Sequence, residues 1–376
     1  MKKLKSLTII LCITLVTSFF GIIAYAAVND VDLYYKTYIT DDKKDDKESE
    51  DNNLYFNMDW LKSIPFVQDN FVDDIEDTVE KGWNNSMNFN FNNHYDKTGD
   101  TIEDTFSKDN INEIDITTDV ASISFIQEDR SDIKVEYIYT KPDIDNYAID
   151  YNAEIKNKTL NITQHIKTRN FSGNINKDNY KNTLTIYVPK DFSIDNLYIK
   201  NNLGDINNND FYSNVSDIID ITTSLGQIDI TISNPKKSVK LISALGIVKL
   251  NNNSEIDNLE IIANSGDVNI ESNSAIKNCT ITANLGTVKI ISNDELNNCE
   301  LEANMGSINT TFKKHIDSFN IICDMGEINM KLYDNDNSLI SAKASMGDIK
   351  SDFDTTKKRS PYTIECSMGD ITITRR

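Results

Sequence analysis

The 376-residue sequence is poor in basic residues, histidine and proline, and each shortage excludes a class of protein. Its 38 Lys and Arg against 59 Asp and Glu leave a net charge of −21, which excludes a nucleic-acid partner because phosphate contacts need basic side chains. The three histidines lie far apart at His94, His165 and His315, so no His-rich metal centre is expected. Thirteen glycines and five prolines exclude a collagen-like or proline-rich chain.

Residues 1–28 have the pattern of a signal peptide or a membrane anchor. Three lysines within the first five residues precede an uncharged, largely apolar run from Ser6 to Val28, which is long enough to cross a bilayer. The positive-inside rule places everything after this run outside the cytoplasm. A small-x-small pattern ending at Ala26 also fits signal-peptidase cleavage. We expect either a cell-membrane protein with an extracellular C-terminal domain or a protein secreted after cleavage near Ala26.

Residues 29–110 predict an acidic, partly disordered spacer. Residues 41–53 contain no apolar side chain that could offset the loss of chain entropy on folding. Apolar residues then recur at helical spacing, which predicts an amphipathic helix near 66–81. This helix either packs on the main domain or docks on a partner. The Asn-rich residues 84–110 are expected to be linker.

The strongest signal in the chain is a glycine that recurs nine times. The spacings between successive copies are 22, 20, 20, 20, 20, 20, 21 and 22 residues. We interpret these residues as structural corners, because glycine tolerates the positive φ that such corners require. The nine glycines are Gly204, Gly226, Gly246, Gly266, Gly286, Gly306, Gly326, Gly347 and Gly369.

The residues around each glycine predict two short strands joined at a corner. Apolar residues alternate before the glycine and again after it, and the phase of the alternation shifts at the glycine. About 20 residues therefore form one coil, and stacked coils form a β-solenoid. We predict a single-domain, all-β solenoid over residues 111–376, with a degenerate first coil in which Ala121 takes the glycine position. Residues 129–196 are expected to be an insertion or cap of antiparallel strands.

Equivalent residues of successive coils should form ladders about 4.8 Å apart. Cys279 and Cys299 share one coil position and are expected to be small buried thiols, whereas Cys323 and Cys366 are expected two coils apart. Amide ladders at the turns should support stacking, because each amide both donates and accepts. The residues concerned are Asn264, Asn284 and Asn304; Asn253, Asn273 and Asn293; and Asn258, Asn278 and Asn298.

Three carboxylates that directly follow their glycines are the only metal candidates. Glu327, Asp348 and Asp370 should stack, and their mutual repulsion would be relieved by water and Lys350 or by a calcium ion. If water and Lys350 relieve the repulsion, the three carboxylates form a solvated acidic strip that needs no cofactor. The sequence shows no catalytic triad, zinc motif, phosphate loop or dinucleotide fingerprint.

The repeat unit, as in LGDIN, SGDVNI, MGEINM and MGDITI, resembles the bacterial "putative adhesin" β-strand-repeat family of unknown function, which includes LiaG-like envelope proteins. The resemblance covers about residues 111–376 and supplies no catalytic residues. It implies a non-enzymatic envelope protein that is adhesin-like or associated with envelope stress. The N-terminal segment, which lies outside the resemblance, is expected to hold this protein at the membrane. Its expected partner is an envelope protein or polysaccharide. The alternative is a carbohydrate-active enzyme, a polysaccharide lyase or hydrolase, that uses surface carboxylates of the solenoid.

Overall fold

The computed structural model describes five stretches of the chain, and within them almost every residue lies in a β-strand or a tight turn. One 3-10 helix, Asp210–Asn214, interrupts the strands. The predicted signal or anchor, the acidic spacer up to residue 99 and the helix near 66–81 lie outside the described residues. The five stretches are 100–139, 147–168, 182–333, 340–355 and 360–376.

Twelve strands form the larger of the sheets, in the spatial order β21-β23-β19-β17-β15-β13-β11-β9-β8-β2-β6-β5. All neighbours in this sheet are parallel except β6 and β5. The strands are β2 (Glu113–Val120), β5 (Tyr147–Lys156), β6 (Thr159–Thr168), β8 (Ile194–Leu203), β9 (Val215–Leu225), β11 (Lys236–Leu245), β13 (Ile256–Ser265), β15 (Ile276–Leu285), β17 (Leu296–Met305), β19 (Ile316–Met325), β21 (Ile340–Met346) and β23 (Tyr362–Met368).

Eight shorter strands form a second, wholly parallel sheet in the order β10-β12-β14-β16-β18-β20-β24-β22. Each follows a corner glycine, so the chain makes the predicted β-solenoid, which has about eight turns. The strands are β10 (Ile228–Ile232), β12 (Val248–Asn252), β14 (Val268–Ser272), β16 (Val288–Ser292), β18 (Ile308–Phe312), β20 (Ile328–Leu332), β22 (Ile349–Ser351) and β24 (Ile371–Arg375).

A four-stranded sheet in the order β1-β4-β7-β3 continues the second sheet towards the N-terminal end of the solenoid. Ile206 links the two through single parallel bridges to Ile123 and Ile228. The predicted degenerate first coil is present, because Ala121 N donates to Leu203 O at the corner position. The strands are β1 (Asp100–Ser107), β3 (Ser122–Glu128), β4 (Asp132–Tyr139) and β7 (Asn182–Pro189).

The inward side chains of all three sheets merge into one apolar core. Ladder positions carry the same kind of residue from coil to coil, as in Ile261, Ile281 and Leu301, which are in register and at most 1% exposed. Alternation of buried and more exposed residues through the central part of these strands produces this packing. Each coil therefore covers the apolar face of its neighbour, and no single coil could bury its own.

At the C-terminal end the coils are not stacked in chain order. The last coil, β23 and β24, lies between the coil of β19 and β20 and the coil of β21 and β22. Apolar content explains the order. The last coil has Ile364 and Ile373 at positions where the penultimate coil has Ala342 and Ser351, so the penultimate coil has the weaker apolar face and occupies the end.

At the N-terminal end the insertion contains antiparallel pairs, β4 with β7 and β5 with β6, as predicted. Its two inner strands, however, run parallel to the first coil: β6 pairs with β2 and β7 pairs with β3. The insertion thus adds one further coil, and only its outer strands cap the edge. Tyr151 of β5 stacks on Tyr137 of β4 with centroids 5.5 Å apart, which closes this end between the sheets.

Strand β1 falls within the residues that the sequence analysis assigned to linker, and that assignment was wrong for Asp100–Ser107. The strand pairs with β4 along its whole length. Its inward residues are Ile102, Asp104 and Phe106, and the charge in the middle of this set hides the alternation from a sequence reading.

Candidate functional site

The nine repeated glycines form one column along the corner between the two main sheets. Their φ angles lie between +127° and +155°. A Cβ atom on Gly286 would lie 2.1 Å from the carbonyl oxygen of Gly266 in the neighbouring coil. Both the backbone conformation and the close approach of adjacent corners therefore require glycine. Ala121, at the first corner, is fully buried and has no positive φ.

The Asp that often follows a corner glycine has a structural task that the sequence analysis did not identify. Its carboxylate accepts a hydrogen bond from the backbone N–H at the same position of the next coil. Asp205 accepts from Gln227 N, Asp267 from Thr287 N and Asp370 from Asp348 N, each at 2.8 Å. These bonds link neighbouring corners and explain the recurrence of Gly-Asp in the repeat.

The three acidic residues proposed for calcium are not assembled into a metal site. Within the described stretches, no group of three or more His, Cys, Asp or Glu side chains is placed to hold a metal ion. Asp370 lies between Glu327 and Asp348, because the last coil is inserted before the penultimate one. Its carboxylate is occupied by the Asp348 backbone N–H.

The three predicted amide ladders are confirmed. Asn284 Nδ2 donates to Asn264 Oδ1 at 2.9 Å, and Asn304 continues that ladder. Asn278 Nδ2 donates to Asn258 Oδ1 at 3.0 Å, and Asn298 follows. The third ladder joins Asn253, Asn273 and Asn293 in the same way.

All four described cysteines are free and buried, as expected for Cys279 and Cys299. Cys299 shares a hydrogen bond with Cys279, and this contact and burial raise its pKa well above the usual value. The expected two-coil separation of Cys323 and Cys366 was wrong. They are in register on adjacent strands, because the last coil packs directly on β19. Burial raises the pKa of Cys323 to about 12, so its thiol is protonated at neutral pH.

A row of polar residues crosses the outer face of the 12-stranded sheet near its N-terminal end. Its members stand six positions before the corner residue of five successive coils, and adjacent members are in register. All five side chains are half-buried among their neighbours. We name this set the carboxylate–tyrosine row: Asp115, Tyr198, Asp220, Lys240 and Glu260.

The carboxylate–tyrosine row has unusual electrostatics. Burial, with the charge of Glu113 as a lesser cause, raises the pKa of Asp115. Burial also raises the pKa of Asp220, although Lys240 counteracts it. Tyr198 lies between the two carboxyl groups, and burial and the surrounding carboxylates raise its pKa as well. Acid–base catalysis requires acidic groups with shifted pKa values that lie close together on an accessible face. Such groups also occur on protein surfaces that have no catalytic function.

Aligning the coils by their corners would have revealed this row from the sequence. The acids next to the glycines are more conspicuous in the sequence, because they belong to the most regular part of the repeat. Asp115 and Tyr198 lie in coils that depart from the 20-residue spacing, so their shared position was not apparent.

An open groove of about 420 Å³ lies near the 3-10 helix, and it is lined mainly by small polar residues such as Ser213, Asn214 and Asn234. Beside it, Lys236 takes the ladder position that Ile256 takes in the next coil. Its ammonium is buried and donates to three carbonyl oxygens, those of Asn234 at 2.8 Å and of Ser213 and Pro235 at 3.3 Å. Burial lowers the pKa of Lys236 to about 8.

No helix in the described part of the chain is long and apolar enough to span a membrane. The membrane segment predicted for residues 1–28 lies outside that part, so this expectation stays a prediction.

Three solved structures with a weak likeness to the chain are 13–18% identical to it in sequence. A putative adhesin from Bacteroides fragilis is 18% identical, with a TM-score of 0.29, and the match covers 74% of this chain and 97% of that one. A putative cell adhesion protein from Clostridium sporogenes is 13% identical, with a TM-score of 0.26 and coverage of 74% and 100%. A putative lipid binding protein from Parabacteroides distasonis is 14% identical, with a TM-score of 0.24 and coverage of 74% and 97%.

None of the curated proteins matches the chain significantly. The family model described as Toastrack DUF4097 matches residues 111–374, the stretch in which the repeat and its corner glycines lie. This match confirms the family resemblance of the repeat units. The chain belongs to the Toastrack DUF4097 family.

Proposed function

We propose that this protein is an exported, membrane-tethered surface module that binds an envelope polymer or protein without transforming it. The export pattern of residues 1–28 and the acidic spacer support the tether. The resemblance of the repeat to the "putative adhesin" family supports a role in surface interaction.

The observation that carries this proposal is the extended, repetitive outer face of the 12-stranded sheet. Twelve strands at about 4.8 Å spacing extend over roughly 50 Å. Side chains of one type recur from coil to coil at two outward positions, Asn258, Asn278 and Asn298 at one and Asn264, Asn284 and Asn304 at the other. A surface with this short, regular repeat is suited to a ligand that is itself repetitive, such as a wall polysaccharide, because successive ligand units meet similar side chains.

Binding of the full-length protein to immobilised peptidoglycan and wall polysaccharides tests the proposal. Thr282→Arg places a long charged side chain on the outer face of the 12-stranded sheet. Thr311→Arg does the same on the outer face of the eight-stranded sheet and is the matched control. We expect Thr282→Arg to weaken binding at least about tenfold and Thr311→Arg to leave it unchanged. Absence of binding to every polymer and to extracted envelope proteins would refute the proposal.

The carboxylate–tyrosine row favours one alternative, a carbohydrate-active enzyme. Asp115 and Asp220 are two strands apart, about 9.6 Å, with Tyr198 between them. Inverting glycoside hydrolysis uses two carboxyl groups about 6.5–9.5 Å apart, which is close to this backbone separation. Turnover of a wall or plant polysaccharide by the full-length protein, lost in Asp115→Asn and Asp220→Asn but kept in Asp348→Ala and Asp370→Ala, would establish this alternative. If no polymer is turned over, the enzyme alternative is refuted and the binding module stands as the proposed function.

A further inference from the structure

The residue before each corner glycine forms a half-exposed column along the surface of the solenoid. In the N-terminal half this column is mainly leucine, as at Leu203, Leu225, Leu245 and Leu285. From the coil of Gly306 onward it contains only methionine. Half of the chain's eight methionines therefore fall in four consecutive positions of one column, which we name the methionine ladder: in spatial order Met305, Met325, Met368 and Met346.

Backbone pairing places the four methionines next to one another. Met305 is in register with Met325, Met325 with Met368, and Met368 with Met346. Neighbouring Cα atoms are therefore about 4.8 Å apart. The inserted last coil makes the ladder continuous, since Met368 occupies the place between Met325 and Met346. Exposure rises to 55% at Met346, so the ladder is accessible from solvent.

Packing alone does not account for methionine at these four positions. The same position accepts leucine in four coils with the same corner geometry, so the fold has no need of sulfur there. Thioethers differ from leucine in two respects: they are flexible, and they are soft ligands that prefer Cu(I) and similar ions. Thioether sulfur carries no proton, so it can bind a metal without losing one.

The surroundings of the methionine ladder favour a cation. Asp324 is next to Met325 in the chain, and Glu327, Asp348 and Asp370 form the column on the other side of the corner glycines. These carboxylates create a negative potential along the ladder. The nearest thiols, Cys323 and Cys366, lie in the buried column three residues before the glycines.

We propose that the methionine ladder is a surface binding site for a soft monovalent metal ion, Cu(I) or Ag(I), held by thioethers of adjacent coils. Each thioether of the ladder has at least one neighbouring thioether. A bound metal ion that loses one sulfur ligand can therefore be bound by the next sulfur along the ladder. The site is independent of the polymer-binding function proposed above.

Ag(I), which is redox-stable, is the probe for the test. The full-length protein, labelled with ¹³C at the methionine methyl groups, is titrated with Ag(I), and the borderline ion Zn(II) and the hard ion Ca(II) are the comparisons. We expect the methyl signals of Met305, Met325, Met346 and Met368 to shift with Ag(I) alone. The signal of Met330, which is buried in the core on β20, should stay in place.

Met325→Leu/Met368→Leu removes the two central ligands, and leucine at other corners indicates that the fold will accept it. Loss of an outer-shell partner of a metal typically costs 10–100-fold in affinity, so we expect this double variant to lose more than about 100-fold. Met330→Leu is the matched control and should bind as the wild type does. Leu285→Met should extend the ladder and bring its own methyl signal into the group that shifts.

Cys323→Ala/Cys366→Ala separates thioether binding from thiol binding. Retained Ag(I) affinity in this variant supports the methionine ladder. The proposal is overturned if the four ladder signals do not move at saturating Ag(I). It is also overturned if the cysteine variant loses binding while Met325→Leu/Met368→Leu keeps it.

Discussion

In the middle of the solenoid, from β11 to β20, each coil copies the previous one at 20-residue spacing, whereas the coils at both ends are stacked out of chain order. The middle needs only a pattern that each coil can repeat on its neighbour. A coil at an end must also prevent its exposed edge strands from pairing with another chain. At the N-terminal end antiparallel strands, stacked tyrosines and the inward Asp104 do so. At the C-terminal end the coil with the weakest apolar face is placed outermost.

The largest expected difference is between a middle corner and the first corner. Gly286→Val should lower the free energy of unfolding by more than about 4 kcal/mol, because φ is +149° and the added Cβ meets a carbonyl oxygen. Ala121→Val should cost about 1–3 kcal/mol, from overpacking alone. Urea unfolding of both variants measures the two costs. Equal losses would mean that the corner geometry is not specific to the glycines.

A smaller difference should separate the last coil from the penultimate one. Ile371 is fully buried, whereas Ile349, its register partner in the outermost coil, is 38% exposed. We expect Ile371→Asn to cost about 3 kcal/mol or more and Ile349→Asn less than about 1 kcal/mol. Thermal and urea unfolding provide the comparison. A larger cost at Ile349 would place the coils in chain order and contradict the insertion.

Lys236 interrupts a ladder that Ile256 and its successors continue through the middle. Its folded-state pKa of about 8 is below the ordinary value of 10.5, so between these two pH values the unfolded chain binds more protons. Stability should therefore rise with pH across that window, by no more than about 3 kcal/mol. In Lys236→Ile, which copies the middle coils, this contribution should vanish. An unchanged pH dependence in the variant would show that Lys236 is not its source.

The smallest effect is expected from the inward charge at the N-terminal edge. Asp104→Leu should change the free energy of unfolding by less than about 1 kcal/mol but promote self-association, because inward charges protect sheet edges. Thr105→Leu, on the outward side of the same strand, is the matched control. Sedimentation velocity at several concentrations distinguishes them. Monomeric behaviour of both variants would show that Asp104 does not protect the edge.

The middle of the solenoid was predictable because the constant 20-residue spacing of the corner glycines determines the register between neighbouring coils. Each corner glycine, with an aliphatic residue two positions later, fixes where one coil lies on the next, and the amide ladders at Asn264 and Asn258 follow directly. The core thiols Cys279 and Cys299 were predictable for the same reason.

The ends were not predictable, because coil order depends on which apolar faces are strongest rather than on their sequence order. The neighbouring positions of Cys323 and Cys366, and with them the continuous methionine ladder, emerge only from the inserted last coil. Strand β1 was missed because Asp104 interrupts its apolar side. The carboxylate–tyrosine row was missed because Asp115 and Tyr198 belong to coils with irregular spacing.

Pulsed electron–electron double resonance measures the distance between two spin labels. Applied to pairs of labels on the eight-stranded sheet, it tests the stacking of the coils and their order together. Lys249, Thr372 and Lys350 occupy the same position in coils zero, five and six steps along the stack. At about 4.8 Å per coil, the account predicts about 24 Å from Lys249 to Thr372 and about 29 Å from Lys249 to Lys350. A longer distance to Thr372 than to Lys350, or distances unrelated to the number of intervening coils, would contradict it.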